Sequence, residues 1–120
     1  MKYLLLIHTN PANWSNLPKA EQEGMHAEYG VFTKEIVDSG ELVGGERLAG
    51  PDTVRTVRVR DGIADVVDGP YAESKEHLGG YYLIDVDGPE RAEELAARIP
   101  DARYVAVEVR PVLDMGGQEM

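Results

Sequence analysis

Asp61–Gly62, set between TVRTVRVR and IADVVD, constrains the fold of this chain more tightly than any other pair of residues. A two-residue type I′ turn needs positive φ at both positions, which glycine adopts freely and aspartate tolerates, so the pair predicts a β-hairpin. A turn at that point sets Arg60 opposite Ile63, and counting back pairs Arg58 with Asp65 and Arg55 with Asp68. Two opposite-charge pairs at matching positions support the register, each worth about 0.2–1 kcal/mol.

The rest of the chain frames that hairpin. Tyr3 to Ile7 is an unbroken apolar run ending at His8 and closed by HTNPANWSNLP, which predicts a first strand buried on both faces. From Pro18 onward Met25, Tyr29, Phe32 and Ile36 recur at spacings of 4, 3 and 4, one face of a helix that DSG at 38–40 closes. ELVGGERLAG then reads as a strand broken at Gly44–Gly45. Beyond the segment DGPYAESKEHLGG (68–80), GGYYLIDV is again β in composition. In DGPERAEELAARIP, Pro89 opens a second helix with Glu90, Glu93 and Glu94 toward its positive end and Arg98 toward its negative one. Ala92, Leu95, Ala96 and Ile99 make its narrow apolar stripe. YVAVEVRPV is the last strand, with Val105, Val107 and Val109 on one face, and 114–120 reads as a flexible tail.

That order predicts an α+β sandwich in a single domain over 1–113: one antiparallel sheet, two helices on one face, and an inserted β-hairpin. Helices on one side leave the other face of an apolar sheet uncovered. A second copy of the chain is the simplest cover, so a homodimer with two-fold symmetry is expected.

Composition narrows the function classes. The 12 Lys and Arg against 22 Asp and Glu give a net charge of −10, a field that repels phosphate backbones and anionic bilayers. Neither nucleic acid nor membrane is therefore an expected partner. Cysteine is absent, which excludes disulfides, thiolate nucleophiles and cysteine-based zinc sites. His8, His26 and His77 lack the paired spacing of a metal centre, and no glycine-rich phosphate loop occurs, so no metal, nucleotide or other cofactor is expected. The opening MKYLLLIHTN has too short an apolar run and no small-residue cleavage site for a signal peptide. No run approaches the roughly 20 residues that span a bilayer, and a cytoplasmic protein is the expectation.

DGPYAESKEHLGGYYLIDV is similar to the signature of the DGPF proteins, a branch of the YCII-related family, and MKYLLLIH and SGELVGGERL resemble that family's opening strand and helix exit. The resemblance covers Met1 to about Val112, with Tyr71 in place of the usual phenylalanine and Ser74 in place of threonine. It implies a ferredoxin-like fold that dimerises into an α/β barrel. It also implies an accessory role beside a sigma factor of the extracytoplasmic-function type, since relatives in this branch occur next to or fused with such factors. Many members carry a histidine and an aspartate that suggest enzymatic activity. Aligned at the helix exit, Tyr29 of this chain stands where the shorter branch has its histidine, which would leave a His–Asp mechanism without its base.

Two readings stand for each candidate residue. Asp68 either accepts backbone N–H groups of its own turn or acts as a proton acceptor at the rim of a cleft, with Arg55 opposite to hold it ionised or to bind an acidic substrate. Glu73, Lys75 and Glu76 form either a solvated loop or a buried network closing a polar pocket, in which Lys75 orients Asp68 or holds a substrate carboxylate. His26 lies one position off the apolar stripe of the first helix, either a boundary histidine or a catalytic one. Trp14 is a hydrophobic lid on the helix or, with Tyr29, one wall of a small-molecule pocket. Gly44–Gly45 and Gly79–Gly80 read as bulges or close backbone approaches. Three functions follow: a regulatory or small-ligand-binding homodimer, a small lyase or isomerase abstracting a proton from a small acidic metabolite with Asp68, or a purely structural oligomer, which would show no pocket.

Overall fold

A computed structural model of the chain describes residues 1–72 and 74–120. Six strands and three helices run in the order β1 (Lys2–Thr9), α1 (Pro11–Ser15), α2 (Lys19–Asp38), β2 (Leu42–Arg47), β3 (Arg55–Arg60), β4 (Ile63–Asp68), β5 (His77–Asp85), α3 (Pro89–Arg98) and β6 (Ala106–Pro111). Four of the strands form an antiparallel sheet in the order β2-β5-β1-β6, and among the described residues β3 pairs only with β4. This is the expected ferredoxin-like α+β sandwich with a hairpin inserted between β2 and β5.

The alternation along β1 sorts the layers. Tyr3, Leu5 and Ile7 are buried in one core with Phe32 and Ile36 of α2, Ile84 of β5, and Ala92, Leu95 and Ala96 of α3. Leu4 and Leu6 point the other way, opposite Leu83 and Tyr81 of β5, and are only half-buried. The first strand is thus buried on the helix side alone within one chain, because α2 and α3 cover a single face. On that open face His8 hydrogen-bonds Glu108 of β6, which Arg110 also contacts at 3.2 Å.

Local chemistry accounts for the element ends. Helix α2 closes in a Schellman motif: Gly40 takes φ of +80°, its N–H donates to Val37 O at 3.1 Å, and Glu41 N–H reaches Ile36 O at 3.0 Å. Pro89 begins α3, where a missing N–H costs nothing. The α1 turn was not anticipated and lies where the sequence reads as a loop. Asn10 caps it, accepting from Ala12 N–H at 3.0 Å, and Pro11 follows as its first residue. Strand β2 continues through Gly44–Gly45 as one element with a bulge between Leu42 and Gly44, where a break had been expected. The hairpin register is as counted, Arg55 facing Asp68 and Arg58 facing Asp65, with φ of +51° at Asp61 and +76° at Gly62. Residues 114–120, read as a flexible tail, turn back so that Met120 N–H donates to Val112 O at 2.9 Å.

Candidate functional site

A cavity of about 530 Å³ opens between the sheet and the α1–α2 segment. The size lies within the usual range of small-molecule sites. The short helix α1 carries Trp14 over the cavity, where its ring meets the His26 ring edge-on with centroids 5.0 Å apart. Gln22 holds that turn against α2, its Nε2 donating to Trp14 O at 2.9 Å. Ile7, Leu17 and Met25 supply apolar wall, and Arg47, the last residue of β2, and Leu48 after it also line the cavity.

Polar groups converge from both layers. Tyr29 on α2 donates its hydroxyl hydrogen to Oδ2 of Asp101, in the 3₁₀ turn Pro100–Arg103 after α3. Burial raises the Tyr29 pKa well above the ordinary tyrosine value, and the carboxylate accepting its proton raises it further. The phenol therefore stays protonated and serves as a donor. One helical turn on, Thr33 Oγ1 and the Tyr82 hydroxyl lie 2.7 Å apart. All four residues line the cavity.

The backbone near the opening is drawn close by glycine. A Cβ at Gly45 would stand 2.7 Å from Tyr81 O, and one at Gly79 would stand 2.7 Å from Thr9 Cγ2. At Gly45 the clash is with backbone, so no side chain fits without moving a strand, whereas at Gly79 it is the Thr9 side chain that would have to give. Gly79 sits at the β1–β5 irregularity between Ile7 and His8, so the two glycine pairs serve as bulge and close approach.

Trp14, His26 and Tyr29 are brought together at this cavity. Asp68 and Arg55 are not. They face each other at the root of the hairpin, Nε to Oδ1 at 3.8 Å, with side chains 92% and 73% exposed, and neither lines this cavity. Lys75 and Glu76 are exposed as well, and the Glu76 N–H donates to Ser74 Oγ at 3.0 Å. The expected convergence of Asp68 with Lys75 and Glu76 on a polar pocket is therefore corrected: a detached hairpin carries Asp68 into solvent, and among the described residues of that segment Gly79 and Gly80 line the cavity. Glu73 lies outside the described residues. Sequence reasoning missed Asp101, Thr33, Tyr82 and Arg47. Thr33 had a legible signal, four residues after Tyr29 on the same helix face, whereas Asp101 had none.

The YCII-related domain profile matches residues 1–116. The chain belongs to the family of YCII-related domains. An uncharacterised protein of Rhizobium meliloti (strain 1021), R00369, is similar at 32% identity over 114 residues, covering 93% of this chain and 92% of that one. In this YCII-related chain, no group of three or more His, Asp or Glu among the described residues is arranged to hold a metal ion. No helix among them is long and apolar enough to cross a membrane.

Proposed function

We propose that this YCII-related chain, of the DGPF branch, is a homodimer that binds a small organic ligand in the cavity beneath Trp14. The observation carrying the reading is the composition of that cavity: apolar and aromatic walls enclosing a few convergent polar groups, the usual make-up of a binding site. The raised pKa of Tyr29 favours binding over proton abstraction, because a phenol that keeps its proton donates a hydrogen bond and makes a poor base. Arg47 in the cavity lining favours a ligand bearing a carboxylate. The two-fold partner stacks on the open sheet face, covering Leu4, Leu6, Tyr81 and Leu83. An accessory role beside a sigma factor rests on the DGPF resemblance and is tested by co-purification with such a factor.

Trp14 is the sole tryptophan, so its fluorescence reports on the cavity directly. Titration with a panel of small organic acids is expected to yield a saturable change in Trp14 emission together with a rise in Tm. The reading fails if no acid in the panel alters either signal. Leu6→Glu is expected to abolish the dimer in light scattering, since it places a charge at the centre of the stacked faces.

A further inference from the structure

Among the described residues, the β3–β4 hairpin is an arm that the rest of its own chain leaves largely uncovered. Among the described residues its strands pair only with each other, and a two-stranded hairpin alone in water is marginal. Cross-strand register puts Val57, Val59, Ala64 and Val66 on one face of the arm. The three valines are 60%, 62% and 55% exposed. The opposite face mixes charge with apolar surface: Arg58 pairs across to Asp65 and lies over the Tyr71 ring, 5.8 Å from its centroid, and Ile63 and Val67 beside them are 71% and 50% exposed.

At its base the two legs of the arm are tied to each other. Gly69 N–H donates to Val54 O at 2.7 Å and Thr56 Oγ1 donates to Gly69 O at 2.7 Å. Its projection shows in the radius of gyration, 16.5 Å against roughly 14 Å for a compact chain of this length. Charge decides what it can meet. The arm holds three arginines, Arg55, Arg58 and Arg60, and three aspartates, Asp61, Asp65 and Asp68, so the whole net charge of −10 resides in the body. Two such bodies repel one another, whereas a neutral arm with a valine face approaches an acidic copy without adding like charge.

We propose that the arm is an exchange arm: in the homodimer, each β3–β4 hairpin crosses to the second copy and lays its Val57–Val59–Val66 face against it. Two-fold symmetry makes the exchange reciprocal, so both arms are buried at once. The inference rests on the homodimer proposed above but not on the stacking of the open sheet faces.

The absence of cysteine allows a single label. Val59→Cys, carrying a maleimide photocrosslinker, is irradiated in an equal mixture of ¹⁴N and ¹⁵N chains, and the linked peptides are sorted by isotope. Crosslinks joining the two isotopes are expected; crosslinks within one chain only would show the arm folding onto its own body and overturn the proposal. In parallel, residues 55–68 are replaced by Gly–Ser, which joins Val54 to Gly69 across their existing hydrogen bond. This trimmed chain is expected to keep the far-UV circular dichroism of the main sheet and to dimerise at least roughly tenfold more weakly by sedimentation. Val57→Thr with Val66→Thr, which keeps β-branching, is expected to weaken the dimer in the same direction. An unchanged dissociation constant in both variants overturns the exchange arm while leaving sheet stacking intact. A dimer abolished by trimming but unaffected by Leu6→Glu supports the arm and removes the stacking. An intact chain that stays monomeric at tens of micromolar overturns both.

Discussion

Tyr29 and Glu41 show how single residues carry the protein's response to pH. Glu41, after the α2 cap, accepts Arg91 Nε at 2.8 Å and Arg91 Nη2 at 2.9 Å, with Ser39 Oγ adding a third bond at 2.7 Å. The Arg91 fork holds its pKa down at about 2. A carboxylate depressed in the folded state contributes stability above its unfolded pKa and loses it as pH falls toward the folded value. Glu41→Gln is therefore expected to cost about 1–2 kcal/mol at pH 7, the solvent-exposed part of the pair being screened. That cost shrinks between about pH 4.5 and pH 2, which urea titrations of both proteins across that range would check. Tyr29 has the opposite sign. Its folded pKa is raised, so its contribution is complete at neutral pH and is lost as pH climbs past about 10. Tyr29→Phe leaves Asp101 short of a donor, with an expected loss of about 1.5–3 kcal/mol at pH 7 that narrows in alkaline urea titrations.

At the scale of elements, the hairpin turn and α3 make contrasting predictions. Gly62 sits at φ +76°, where a side chain is strained. Gly62→Ala is expected to weaken the arm by about 1–2 kcal/mol, visible as faster amide exchange in β3 and β4 while the amides of β1 and β5 keep their protection. Leu95 of α3 is fully buried between helix and sheet, so Leu95→Ala is expected to cost about 2–5 kcal/mol and to lower the midpoint of global unfolding. The same elements mark what was legible. Register and turn type followed from Asp61–Gly62 because a two-residue turn leaves no freedom in the count. The α3 stripe followed from Pro89 and the spacing of Ala92, Leu95 and Ile99. Helix α1 was present as Asn10–Pro11, an N-cap followed by proline, but a single turn has no periodicity to reveal it. The site was the least legible feature. Trp14, His26 and Tyr29 attracted notice as residue types, whereas Asp101 lies 72 positions from Tyr29 and becomes its partner only through folding.

The whole molecule is thin, 18 Å in its shortest dimension against 48 and 45 Å in the others, as one sheet layer and one helix layer require. Such a chain exposes two apolar surfaces, the open sheet face and the valine face of the arm. If both are shared between copies, stability depends on concentration, and the Tm of the intact chain is expected to rise by about 5 °C or more between 1 and 100 μM. A concentration-independent Tm would mark the folded monomer as self-sufficient. By itself the sequence determined the strands, the two long helices, the hairpin register and the acidic charge, because each depends on neighbours a few positions away or on a simple sum. Only the tertiary structure decided that Asp68 projects into solvent and that Tyr29 meets Asp101 beneath Trp14. Crossing connections bring distant residues to one cavity, and no local pattern in the chain encodes that meeting.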